Sequence, residues 1–400
     1  KNVQPVNDDS TIPNIRNNYT VTDKADGARK LLYINNKGKV YFLTTNMNVE
    51  FTGAFVSNNK IFNSLLDGEH ILHDKMGKYI NLYTAFDIYY INNVSVRDKG
   101  FVPLKEEDVK VNFRLPILIN FIETLNKDIK SFTSGDVSLT ITQKTFYMAG
   151  DDGSIFGGCK TILNRIADGL FEYETDGLIF TPAENAVGSN NSKKAANPVK
   201  TTWDYSFKWK PPEFNSIDFL ISFNKQPNGE DTIGNIFQSG QDMNLTEQLT
   251  QYKSLTLRCG FDQRKHGYIN PCNDVIEDNL PKYNDIDDTD SYKPIAFYPT
   301  NPYDVDAHKC NIILRNDQTG NKQVMTEEHE IIYDNTIVEF KYDMSKPPGY
   351  RWIPMKVRYD KTAEFRQGIK NYGNAYHVAN SNWHSIHHPV TSRMLMTGEG

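Results

Sequence analysis

From Tyr19 to Phe51 apolar and polar residues alternate, with a turn signal at Lys37-Gly38, and this period of two predicts strands joined by hairpins. The short apolar stretch from Lys60 to Leu66 passes through Asp67-Gly68-Glu69 into another strand at His70-Ile71-Leu72. Leu82 to Ile91 is a Tyr/Phe/Ile run of the kind buried strands carry. Apolar residues at helical spacing predict a helix over Leu115 to Ile129 and a second over Lys160 to Leu170, followed by a strand from Leu178 to Thr181. The polar stretch Glu184 to Lys200 predicts an exposed loop.

Pro211-Pro212 is the strongest punctuation in the chain and marks the first boundary. Beyond it a strand is predicted from Ile217 to Phe223. The Gly/Asn/Gln/Asp-rich segment Asn224 to Asn244 and the acidic segment Asp274 to Asp290 read as loops or insertions. Strands resume at Asn311 to Leu314 and Thr336 to Tyr342, and the strand pattern fades from Glu364 onward. Many short strands and few helices predict an α+β protein of two domains, the second strand-rich enough for a small barrel.

Composition narrows the picture further. A length of 400 residues at about 150 per domain allows two to three domains. Forty-four Lys and Arg against fifty Asp and Glu leave a net charge of -6, which argues against a protein that grips nucleic acid by bulk charge. A local basic groove remains compatible with that balance. Cys159, Cys259, Cys272 and Cys310 include no C-x-x-C pair, and read as reduced thiols in a cytosol-like compartment. Leu115 to Leu125 is too short and too interrupted to span a bilayer. The chain opens on Lys1 without a Met, and the expectation is a piece of a longer polypeptide.

The chemistry concentrates in Val21-Thr-Asp-Lys24-Ala-Asp26-Gly27-Ala-Arg29-Lys30, placed between a turn and a strand. Four residues of the K-x-D-G type say little alone. Downstream, however, come Leu66-Asp67-Gly68-Glu69, Phe86-Asp87-Ile88, Glu174-Thr175-Asp176-Gly177-Leu178, Phe207-Lys208-Trp209-Lys210-Pro211 and Arg358-Tyr359-Asp360-Lys361. In this order and spacing the set resembles the covalent nucleotidyltransferase superfamily of mRNA capping guanylyltransferases and polynucleotide ligases. The L-K-W-K-P-like form around Lys208 and the R-x-D-K element at Arg358 resemble the capping branch. So does the stretch from Gly373 to Thr391, which is similar to the link towards methyltransferase parts in capping enzymes of large DNA viruses.

The resemblance implies a nucleotidyltransferase domain of packed antiparallel sheets with flanking helices over residues 1–212. An OB-fold β-barrel over 213–363 and a C-terminal linker over 364–400, leading towards a possible methyltransferase domain, would follow. It implies transfer of GMP from GTP, through a lysyl-GMP on Lys24, to the 5′-diphosphate end of mRNA with release of pyrophosphate. Lysine must be neutral to attack, and neighbouring cations and a metal ion lower its pKa from about 10.4. Lys208 and Lys210, two apart on a strand, face one way and can both reach the α-phosphate. Glu174 is a hard oxygen ligand for Mg²⁺ or Mn²⁺, and Asp176 is either a second ligand or a turn former.

By the same resemblance Arg29 and Glu69 contact the ribose and Phe86 stacks on the base, although Phe86 also fits a core aromatic alternating with Ile88 and Tyr90. Lys144 stands where capping enzymes read the guanine O6, or is a solvated strand lysine. Arg358 and Lys361, supported by Asp360, would approach the outer phosphates when the C-terminal domain closes, and opening would admit RNA. Phe42-Leu-Thr-Thr-Asn46-Met lacks the Arg that many capping enzymes place there. Fused or associated triphosphatase and methyltransferase domains, no membrane partner, and action in the host cytoplasm or virion are further implications. An ATP-dependent polynucleotide ligase and an inactive RNA-binding homologue are the alternatives.

Three weaker signals read as structural. Gly153 to Thr161 resembles a phosphate loop with Cys159 displacing its lysine, and reads as a turn into a helix. His377, His384, His387 and His388 lack a carboxylate or Cys to complete a metal set. The run Asp285 to Asp290 reads as a solvated loop.

Overall fold

The computed structural model describes residues 13–44, 47–104, 113–131, 138–148, 154–190, 194–197, 203–237, 249–262, 264, 275–276 and 291–399. The chain forms two compact units, one running up to Pro211 and resuming at Val390, the other spanning Pro212–Pro389. The Asp285–Asp290 run and Cys272 lie outside the described residues.

The first unit is built on two sheets. The larger, eight-stranded one pairs Ala28–Ile34 with Lys39–Thr44 on one side and with Ser64–His73 on the other. Tyr79–Ile91 lies beyond Ser64–His73, and Thr140–Gln143 joins it in parallel. Alternation along these strands sends Leu32, Ile34, Val40, Phe42, Leu66 and Ile88 inward. The helix Arg114–Asp128 covers them with Leu118, Phe121, Ile122 and Leu125, spaced three and four apart on one face. Each such side chain, fully buried, contributes about 1.5–3 kcal/mol.

The smaller sheet has three antiparallel strands, Tyr19–Ala25, Thr175–Pro182 and Phe207–Trp209, with Thr175–Pro182 in the middle. The helix Ile155–Ala167 packs Ile155, Phe156, Cys159 and Ile162 onto Val21, Leu178 and Phe180. It begins five residues earlier than its apolar spacing suggested, because Gly157-Gly158 is not a turn. A Cβ on Gly158 would stand 2.7 Å from the Cβ of Tyr147, so the glycine lets the helix lie close on the sheet.

The second unit holds a seven-stranded antiparallel sheet centred on Ser216–Phe223, Thr250–Asp262 and Thr336–Tyr342, with Trp352–Val357 beside the last. Phe219, Phe297, Phe340, Trp352 and Trp383 fill its core. The stretch from 364 onward, expected as a linker, is mostly helical instead: it contains the end of Tyr359–Arg366, then Tyr376–His387 and Ser392–Thr397. Tyr376, Ala379, Trp383 and Ile386 repeat at helical spacing and are buried, which is why the strand pattern stops there. His387 packs against Trp383, with ring centroids 4.1 Å apart and the planes tilted by 44°, and belongs to this packing. Among the described residues no helix is long and apolar enough to cross a membrane.

Candidate active site

Tyr19–Ala25 is buried at every position except Lys24, which is half-buried. The reason lies in the register with Thr175–Pro182. Asp23 pairs with Leu178 and Ala25 with Thr175, so Asp176 and Gly177 together oppose Lys24. This bulge turns both functional side chains out of the ladder towards each other. The Lys24 ammonium donates to Asp176 Oδ1 at 2.5 Å, and Lys210 Nζ sits 2.7 Å from Asp176 Oδ2. Two glycines make the approach possible. Gly177 has φ +146 and its Cβ would lie 1.9 Å from the Trp209 carbonyl oxygen, while a Cβ on Gly27 would meet Glu69 Cγ and the His70 carbonyl at 2.9 Å. The glycine of K-x-D-G is thus required by close packing.

Burial pushes the Asp176 carboxyl up, but the hydrogen bonds from Lys210 and Lys24 outweigh it and hold the group below the usual carboxylate range. Glu69 is raised by its burial, against the charges of Lys24, Lys144 and Lys208 that reach it. Lys208 keeps solvent access, yet partial burial and then the charges of Arg29 and Lys24 lower its pKa. Seven expected residues therefore converge: Lys24, Arg29, Glu69, Lys144, Asp176, Lys208 and Lys210.

Arg29 stands directly across from Glu69 on the neighbouring strand. Its guanidinium forks onto the fully buried Asp67, with Nε–Oδ1 at 3.0 Å and Nη2–Oδ2 at 2.5 Å, and Tyr89 Oη donates to the same carboxylate at 2.6 Å. Phe86 is half-buried at the extra residue of a second bulge, where Gly68 pairs with Ala85 and Asp67 with Asp87. Beside it Asp87 accepts both arms of the fully buried Arg114, at 2.8 and 3.1 Å. Lys144 is buried, with its ammonium on the Asp23 carboxylate and the Asp23 carbonyl oxygen, and Tyr173 Oη donates to that carboxylate at 3.1 Å. Glu174 is exposed, and among the described residues its carboxylate makes no hydrogen bond or ion pair; its backbone carbonyl accepts from Asp26 N at 2.8 Å.

Arg358, Asp360 and Lys361 belong to the second unit. Arg358 Nη1 and Lys361 Nζ both donate to Oδ2 of the buried Asp218, at 2.7 and 2.5 Å, and exposed Asp360 lies 3.7 Å from Arg358 Nε. Asp218, Asp67 and Asp23, with Tyr89 and Tyr173, support these groups and do not stand out as doing so in the sequence. The available signal was a carboxylate inside an otherwise apolar strand, which only pairing can stabilise.

A divalent cation of the Mg²⁺ class takes one or two carboxylates and completes its shell with phosphate oxygens and water. Among the described residues no three His, Cys, Asp or Glu side chains converge as a metal set. Asp176, ionised and partly open beside Lys24, fits the first pattern.

Residues 9–212 match the family model for the mRNA capping enzyme catalytic domain, and the chain belongs to that family. A probable mRNA-capping enzyme of Acanthamoeba polyphaga mimivirus is 29% identical over 99% of this chain and 32% of its own length. The mRNA-capping enzyme of Danio rerio is 26% identical over 64% of this chain and 42% of its own, and that of Mus musculus 25% over 61% and 39%. The chain thus spans well under half the length of these relatives.

Proposed function

We propose that this chain transfers GMP from GTP to the 5′-diphosphate end of mRNA through a phosphoramidate on Lys24. The observation that carries this reading is Lys24 held with Lys210 on one ionised, half-exposed carboxylate, Asp176, within reach of the charges of Lys208 and Glu69, with Arg29 beside Lys208. Lys24 first gives up its proton to solvent. The freed Nζ lone pair attacks the α-phosphorus, a P–N bond forms, and the bond to the β-phosphate oxygen breaks with its electron pair leaving on pyrophosphate. The terminal oxygen of the RNA diphosphate then attacks the same phosphorus, the P–N bond breaks, and Lys24 regains a proton. Positioning and charge neutralisation supply most of the catalysis in such transfers.

In this reading Lys208 and Lys210 hold the α-phosphate, Arg29 on Asp67 and Glu69 hold the ribose, and Phe86 stacks on the base. Lys144 reads O6 only by exchanging Asp23 for the base. Asp176 would hold the Mg²⁺ or Mn²⁺, with Glu174 the outer candidate; that ion would neutralise phosphate charge. The second unit is taken as an OB-fold, with Arg358 and Lys361, backed by Asp218 and Asp360, orienting pyrophosphate. Triphosphatase and methyltransferase partners, and action in the host cytoplasm or virion, complete the proposal.

Incubation with labelled GTP or ATP and Mg²⁺ tests it. A GTP adduct that EDTA prevents and Lys24→Ala abolishes is expected. An adduct from ATP alone would assign a ligase, and none from any nucleotide would assign an RNA-binding homologue.

A further inference from the structure

Lys208 lies on Phe207–Trp209, an edge strand of three residues that pairs on one side only, and Lys210 directly follows its last residue, Trp209. Three ladder pairs are too few to fix such a strand; Phe207 stacks on Tyr19 at 5.7 Å between ring centroids at its start, and at its other end its position depends on what holds the indole. Trp209 is buried in the cluster of Val21, Cys159, Ile162 and Leu395, and its Nε1 donates to the Val390 carbonyl oxygen at 2.6 Å.

The chain after Val390 is itself fastened at two further points. Thr391 caps the helix Ser392–Thr397 by accepting from Met394 N at 3.3 Å, and Leu395 on that helix enters the cluster that holds Trp209. Gly398, at φ +73, ends the helix, and its carbonyl accepts from Arg16 Nη2 at 2.5 Å while the Arg16 guanidinium lies 4.6 Å over the Phe156 ring. Six residues are far too few to form a stable helix alone. This one exists because the first unit's core shapes it.

We propose that the segment Val390–Gly398 is a positioning element of the nucleotidyl-transfer site, setting through Trp209 where Lys208 and Lys210 present their ammonium groups to the nucleotide phosphates. The inference rests on Lys24 being the nucleophile.

The test uses the full chain and four variants. Trp209→Phe removes the N–H donor and keeps most of the apolar body. Leu395→Ala loosens the helix, and Arg16→Ala releases its far end should Leu395→Ala not fold. Leu118→Ala, in the other core of the same unit, is a control of comparable destabilisation. Rates of lysyl-adduct formation at saturating GTP, KM for GTP, and thermal midpoints are measured well below unfolding. Trp209→Phe should slow the adduct by about tenfold, the value of roughly one hydrogen bond. Leu395→Ala should slow it more and Arg16→Ala less, KM should change little, and Leu118→Ala should keep the wild-type rate. Wild-type rates in Trp209→Phe and Leu395→Ala would overturn the proposal, as would an equal loss in Leu118→Ala, which would mean that rate merely follows stability. A wild-type chain that forms no adduct with any nucleotide would instead defeat the nucleophile assignment, and the proposal with it.

Discussion

Replacing Gly177 by Ala adds one methyl group where the Lys24, Asp176 and Lys208 strands meet. The new Cβ would lie 1.9 Å from the Trp209 carbonyl oxygen and 2.9 Å from its carbon, both backbone atoms that cannot rotate aside. Contacts under 3.0 Å are essentially never seen for a real Cβ, so the strands must separate by about 1.1 Å, the difference between 3.0 and 1.9. The φ of +146 adds strain of roughly 1–3 kcal/mol for any residue with a Cβ. Lys208 rides on the strand that has to move, and Lys210 directly follows it. A displacement of that size at a phosphate-positioning group costs about a hundredfold in rate. Single-turnover formation of the Lys24 adduct at saturating GTP is the assay, with circular dichroism to establish that the variant is folded. A folded Gly177→Ala chain within threefold of the wild-type rate would refute the view that this close approach sets the geometry.

Asp67→Asn removes the fork that holds Arg29 and the acceptor of Tyr89, so KM for GTP should rise about tenfold or more, with a smaller change in kcat, in steady-state assays. Glu69 has a raised pKa when folded, so its contribution to stability is fully present below the unfolded value near 4.3 and is lost as pH rises through the folded value. Glu69→Gln should therefore gain stability over wild type at pH 7 but not at pH 4, as measured by urea unfolding. Asp176 carries the opposite sign, adding stability above about pH 4 that disappears as pH falls through its lowered value, and Asp176→Asn should flatten that acid limb. Arg114→Met strands the buried Asp87 and should cost about 3–5 kcal/mol, part of which the Asp87→Asn, Arg114→Met double variant should recover by denaturant titration.

Lys24 and the cations near it stand out in short patterns because each pattern lies within one strand or turn. Their pairing was not. That Asp176 meets Lys24 depends on a register break between strands about 150 residues apart, which no local pattern encodes. Lys144 follows the strand Thr140–Gln143, and that its ammonium is buried is decided by Asp23 and Tyr173, brought in from distant parts of the chain. The two glycines in the helix Ile155–Ala167 suggest a turn in the sequence, whereas Gly158 lacks a side chain because it packs against Tyr147. The C-terminal helices resemble a linker in sequence because they break the strand pattern. The buried carboxylates Asp67 and Asp218 stayed hidden for a simpler reason: a sequence shows a charge but not the partner that allows it to be buried.

The hydrogen bond from Trp209 to Val390 has a topological consequence. The chain departs from the first unit just after Trp209 and rejoins it at Val390, so exit and return are immediate neighbours. Everything between them is inserted into a unit whose sheets are complete before the departure and which is finished by one short helix after the return. A stretch of this kind can be gained, lost or exchanged as a block in evolution, since a tight turn joining Lys210 to Val390 would close the remaining chain without stretching a strand. The prolines at 211, 212 and 389 mark both seams of that cassette in the sequence itself.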